Sequence, residues 1–120
     1  MTEAQRQHLE RRLREERERV VRSLQRYESA HRDSEQEQDG DLTVLPLHPA
    51  DEGTDTMQEE LEASLAARET QTLADIDDAL ERLYRHPEQF GRDERTGREI
   101  PFERLDVIPW ARTADVHLTP

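Results

Sequence analysis

Cysteine and lysine are both missing from the 120 residues. Without cysteine there is no disulfide scaffold, thiol nucleophile, dithiol redox pair or thiolate metal site. Without lysine, all 17 basic side chains are arginine. Aromatic residues make up 4% and hydrophobic residues 32%, against 38% charged, too little apolar material for a thick globular core. An elongated or helical architecture is expected, of one domain at most, since compact domains hold roughly 100 to 200 residues. No run approaches the roughly 20 apolar residues that span a bilayer. The N-terminal MTEAQRQHLERR also lacks the apolar centre of a signal peptide. The expected location is the cytoplasm, with no membrane partner.

What the chain does have is acid: 29 Asp and Glu give a formal net charge of -12. A phosphate backbone is bound mainly through a basic surface, so direct nucleic-acid binding is not expected. The charge is uneven. Residues 1–32 hold nine Arg against six Glu, 33–87 hold three Arg against sixteen acids, and 88–120 hold five Arg against seven acids.

Thr2 to about Arg32 contains no Gly or Pro and is rich in Glu, Arg, Gln, Leu and Ala, which predicts a helix over about 2–32. Leu9, Leu13, Val20, Val21, Leu24 and Tyr27 form a narrow apolar stripe that suits one partner helix. A second helix is predicted over about 54–86, with Thr54 or Asp55 as its cap and Pro87 as its stop. Its stripe is Met57, Leu61, Leu65, Leu73, Ile76, Leu80 and Leu83, with one wide gap between Leu65 and Leu73. Two helices of similar length fit a long antiparallel coiled-coil hairpin over 1–86. Between them, 33–53 reads as a tip loop, polar at first and then apolar at Leu42, Val44, Leu45 and Leu47, which are expected to fold back or meet a partner. Residues 87–120 form a small module: Thr96-Gly97 marks a turn, Pro101 starts a short helix and Pro109 ends it. Phe90, Ile100, Phe102, Leu105 and Trp110 are available to seal it. The fold class is therefore mainly all-α.

The run ALERLYRHPEQFGRDERTGREIPFERLDVIPWART resembles the C-terminal zinc-finger module of the DksA/TraR family. Phe90-Gly91, Gly97, Ile100-Pro101, Arg104-Leu105 and Pro109 stand in register with the family's pattern. Upstream, HPADEGTDTMQEELE resembles the family's coiled-coil tip and the start of its second helix. The likeness runs from about His48 to His117, while the first helix agrees only in character. It implies a regulator that inserts its coiled coil into the secondary channel of bacterial RNA polymerase, places an acidic tip near the catalytic magnesium and alters promoter-complex stability. Some members act with the alarmone ppGpp, as in the stringent response. A thin, negative tip is physically suited to a narrow basic channel.

The departures are specific. Asp93, Thr96, Ala114 and His117 occupy the positions of the family's four zinc cysteines, and a structural zinc site needs four Cys or His ligands. The module is therefore expected to be a degenerate zinc finger with no metal and no cofactor. A residual site of His86, Asp93 and His117 is the alternative. At the tip, the family's first Asp aligns with His48, its second with Asp51 and its Ala with Gly53. Asp51 is the candidate partner-binding residue, with His48, Glu52, Gly53 and Asp55 beside it; the plainer reading is that Asp51 and Asp55 cap the second helix.

Another class of function stays open: a diverged helical interaction or scaffold protein that has lost polymerase regulation. Polar interruptions at Glu16, Ser23, Arg68, Glu69 and Thr72 favour an intramolecular hairpin, hence a monomer, over a long self-associating zipper. No enzyme is expected, because no catalytic triad, phosphate loop or His-Glu-x-x-His motif occurs. The adjacent acids Asp77 and Asp78 read as solvated. The cluster Arg92, Arg95, Arg98 and Arg104 reads as a solvated face, or as a contact for the acidic rim of a polymerase or an anionic small molecule.

Overall fold

Good helix formers and few breakers give two long helices. The computed structural model describes the backbone of residues 1–40 and 49–114, with the side chains of 1–32 and 56–114. α1 spans Glu3–Gly40, α2 spans Pro49–Arg85 and α3 spans Phe102–Val107. The described residues contain no strand, only an isolated antiparallel bridge between Arg92 and Glu99. None of their helices is long and apolar enough to cross a membrane.

Both long helices overrun the expected limits. α1 continues through the Glu- and Gln-rich residues after Arg32 as far as Gly40. α2 starts at Pro49, where proline's fixed φ and missing N–H suit a first helical position. Thr54 and Asp55 therefore lie inside α2 and do not cap it, and the expected tip loop of 33–53 is too long. Gly53 also lies within α2. Its penalty of about 1 kcal/mol is small beside the propagation of a 37-residue helix.

The chain divides into two units, Met1–Arg19 with Leu73–Pro120, and Val20–Thr72. In the first, the Arg6 guanidinium donates to the Leu83 carbonyl at 3.0 Å, the Tyr84 hydroxyl donates to Glu10 at 2.6 Å, and Arg17 donates to Asp77 at 2.6 Å. Arg14 reaches both Glu10 and the Tyr84 hydroxyl. Positions rise along α1 as they fall along α2, so these two stretches run in opposite directions. Leu9, Leu13, Ile76, Ala79 and Leu83 are buried here. α3 is tied to α1 by His8, whose Nε2 lies 2.6 Å from an Asp106 carboxylate oxygen, and by the Arg12 Nε donating to the Asp106 carbonyl at 3.1 Å.

In the second unit Val20 is buried, while Met57, Leu61 and Leu65 are 71%, 56% and 50% exposed. The α2 stripe is thus not one continuous core surface, as its spacing led one to expect. The wide gap after Leu65 separates an exposed half from one that contains buried Ile76 and Leu83.

The local stops behave as their chemistry predicts. α2 ends at Arg85, two residues before Pro87; Pro101 precedes α3, and Pro109 follows it. Gly91 and Gly97 have φ of 77° and 74°, in the left-handed region. Gly97→Ala is expected to cost about 1–2 kcal/mol from backbone strain alone, since nothing lies within 4 Å of the added carbon. Gly91→Ala should cost at least as much, because its carbon would also sit 2.6 Å from the Met1 Cε and displace it. Thermal unfolding of the two variants beside the parent checks the order.

Candidate functional site

The C-terminal module is where the structure brings chemistry-bearing residues together. The chain reverses between Gly91 and Ile100: Ile100 N–H donates to the Gly91 carbonyl, Asp93 N–H to Arg98, and Gly97 N–H to Asp93, each at 2.8 Å. Phe90, Ile100, Leu105, Pro109 and Ala111 are buried beneath this turn, whereas Phe102 and Trp110 are half-buried. The seal is therefore more aliphatic than its aromatics predict.

Asp93 is also buried, at 2% exposure. One carboxylate oxygen accepts the Arg95 N–H at 2.8 Å and the other accepts the Ala114 N–H at 2.9 Å. The Arg95 Nε lies 3.6 Å from the first oxygen. The Ala114 N–H, then the Arg95 N–H, lower the carboxyl from its ordinary 3.8 to about 2, against the opposing effect of burial. The Thr96 hydroxyl accepts the Arg98 N–H at 3.2 Å.

Of the four positions equated with zinc ligands, Asp93 and Thr96 thus bond to backbone donors, Ala114 contributes its N–H, and His117 lies outside the described residues. These groups do not fit a structural zinc: two carboxylate oxygens already face N–H groups, and neither a methyl nor a bonded hydroxyl replaces a thiolate. The alternative set of His86, Asp93 and His117 meets the same obstacle at Asp93, and His86 Nδ1 lies 3.8 Å from a Glu88 carboxylate oxygen. Among the described residues no group of three or more His, Asp or Glu could hold a metal ion.

The arginine cluster is mostly structural. Arg92 donates to the Glu88 and Gly97 carbonyls at 3.1 and 3.0 Å, Arg104 donates to Thr113 at 2.8 Å, and Arg95 lies beside Asp93. A cleft of about 580 Å³ lies between the module and the end of α2, with Asp78, Arg82, His86, Arg92 and Arg112 in its lining. Its charges are largely matched: Arg112 reaches Asp78 at 2.9 Å and Arg82 reaches the same carboxylate at 3.1 Å. Asp77 and Asp78 are therefore not simply solvated. Both are ion-paired, because the antiparallel run and the module bring Arg17 and Arg112 to them.

At the expected tip, His48 lies outside the described residues. Asp51, Glu52, Gly53 and Asp55 fall within the span of α2, with their side chains outside the described set, as are Leu42, Val44, Leu45 and Leu47. Sequence reasoning missed the role of Asp93, whose signal was an Asp two residues before a bonded N–H, an Asx-turn pattern. It also missed the buried Ala79, which stands three residues after Ile76 and four before Leu83 on the same helix face.

No protein-family model matches the chain, and no solved structure matches it. Among curated proteins, it is 35% identical over 74 residues to YteA of Bacillus subtilis (strain 168), an uncharacterized protein; the match covers 62% of this chain and 30% of that one. It is 38% identical over 89 residues to an uncharacterized protein of Aquifex aeolicus (strain VF5), covering 74% of this chain and 59% of that one. The chain thus spans less than two thirds of either relative.

Proposed function

We propose that the chain is a transcription regulator that binds bacterial RNA polymerase through the secondary channel, in the manner of the DksA/TraR family. In this reading α1 and α2 form a coiled-coil hairpin whose acidic tip modulates promoter-complex stability, and 87–120 is a degenerate zinc-finger-like module. The observation that carries it is the register of Phe90-Gly91, Gly97, Ile100-Pro101, Arg104-Leu105 and Pro109 with the family's module, on residues that form a turn followed by α3. Two further features support it. Helices of 38 and 37 residues are each about 55 Å long at about 1.5 Å per residue. Eleven of the sixteen acids of 33–87 fall within 33–62, about the end of α1 and the start of α2, a distribution that a basic channel attracts. Asp51 is the residue through which the tip acts, with His48, Glu52, Gly53 and Asp55 beside it. The regulator makes no direct contact with DNA and works as a cytoplasmic monomer, with ppGpp at the polymerase interface as in some family members.

The test is binding to bacterial RNA polymerase, competed by a known secondary-channel protein, followed by in vitro transcription. Asp51→Asn is expected to reduce the effect on promoter-complex lifetime at least roughly fivefold while leaving helicity unchanged. Equal activity of parent and variant removes the tip mechanism.

A second reading, the helical scaffold, is favoured by the exposed Met57, Leu61 and Leu65 on one side of α2, because a contiguous apolar face commonly marks an interaction surface. Sedimentation separates the two. A stable dimer that loses polymerase binding supports the scaffold, and a monomer that binds polymerase supports the regulator.

A further inference from the structure

We propose that the Asp93 carboxylate does the work of a structural metal in this module: it fastens the turn at 93–98 to the segment after α3 and makes the position hostile to a cation. A structural zinc joins two stretches of chain by collecting lone pairs from both. Here the direction of donation is reversed. Each stretch supplies a backbone N–H, from Arg95 at 2.8 Å and from Ala114 at 2.9 Å, and the central charge is negative and belongs to the chain.

The partners of Asp93 stand two and 21 residues away, so one side chain closes both the local turn and the long loop containing α3. The same two stretches are joined again by the Glu94 N–H donating to the Arg112 carbonyl at 2.9 Å. Nearby, the Arg104 guanidinium holds the Thr113 carbonyl at 2.8 Å. Burial of the carboxylate makes its two bonds strong and their loss costly, because charge-assisted hydrogen bonds gain most where water is excluded.

Exclusion of metal follows from the same geometry. Two N–H dipoles and the Arg95 guanidinium direct positive charge at the carboxylate. A cation would have to displace the two N–H groups and lie beside the guanidinium, while gaining no thiolate. The module is thus wired for an internal anion and closes without zinc or thiols. This inference takes from the family likeness only the correspondence of positions, and it does not depend on polymerase binding.

The full chain provides the test in three arms. Protein purified without chelator is expected to carry no stoichiometric zinc and to melt at the same temperature with and without EDTA. In D93N the amide keeps one acceptor oxygen and turns an NH2 group toward the other N–H, so amide hydrogen exchange at Ala114 or at Arg95 is expected to rise at least about tenfold while the helical circular dichroism is kept. The combined variant D93C/T96C/A114C/H117C, which restores thiolates at all four equated positions, is expected to bind about one zinc per chain and to lose its module's protection on chelation. Stoichiometric zinc in the parent, or unchanged exchange in D93N, overturns the proposal. Failure of the combined variant to take up zinc overturns the idea that the carboxylate stands in for a metal.

Discussion

Leu83→Ala is expected to destabilise the unit formed by Met1–Arg19 and Leu73–Pro120 by about 2–5 kcal/mol. Leu83 is 1% exposed, and its carbonyl receives the Arg6 guanidinium, so truncation leaves a cavity beside a contact between α1 and α2. The effect is large because the core is thin. Among the described residues the buried apolar side chains are Leu9, Leu13, Val20, Ile76, Ala79, Leu83, Phe90, Ile100, Leu105, Pro109 and Ala111. A domain's whole stability is about 5–15 kcal/mol, so one such loss is a substantial share. Leu61→Ala is the internal control: the side chain is 56% exposed, and a change within about 0.5 kcal/mol is expected. Denaturant unfolding followed by circular dichroism measures both. Equal costs at the two positions contradict the division of the α2 stripe into a buried and an exposed half.

Acid is expected to open the C-terminal module as the pH falls from about 4 to about 2. Asp93 titrates at about 2 in the folded chain against an ordinary 3.8. A carboxyl whose folded value is depressed contributes stability above its unfolded value, and that contribution disappears as pH falls through the folded one. Two other carboxylates act in the same direction. Glu10 is lowered first by the Tyr84 hydroxyl and then by Arg14, and Glu99 is lowered by the α-amino group of Met1. Trp110 is the chain's one tryptophan and lies half-buried in the module, so its fluorescence reports the transition. In D93N the signal at neutral pH should already resemble the acid form, and the step between pH 4 and 2 should shrink. Superimposable acid curves for parent and variant contradict the assignment.

The ion pairs contribute less than their number implies. Arg17 and Asp77 are 46% and 48% exposed at 2.6 Å, and exposed pairs are typically worth about 0–1 kcal/mol. Their value lies in alignment. Arg6 with Leu83, Glu10 with Tyr84 and Arg17 with Asp77 favour one antiparallel offset of α1 against α2.

Several elements were legible in the residues themselves because their causes are local. Pro87, Pro101 and Pro109 restrict the backbone wherever they stand, so the end of α2 and both limits of α3 followed from them. The Glu-, Arg- and Gln-rich composition marked α1, and the apolar stripe that ends before Pro87 marked α2. Their inner ends did not follow, because Gly53 and the polar run after Arg32 impose penalties too small to stop a propagating helix. The stripe on α2 was legible as a pattern but not as a core. Periodicity places Leu61 and Leu83 on comparable faces, while burial depends on what lies opposite each of them.

Asp93 marks the same boundary within the candidate site. Sequence alone determined that the four positions hold no thiol and that an Asp and a Thr precede a Gly turn. It determined the helical class and the excess of acid. Only the tertiary structure decided that Asp93 is buried and that its second hydrogen bond comes from Ala114, on the far side of α3. Local stiffness and composition act within a few residues and can be read along the chain. A hydrogen bond across 21 residues exists only after the intervening segment has packed, so along the sequence this carboxylate is read only as a former ligand position, and its second N–H partner comes with the fold.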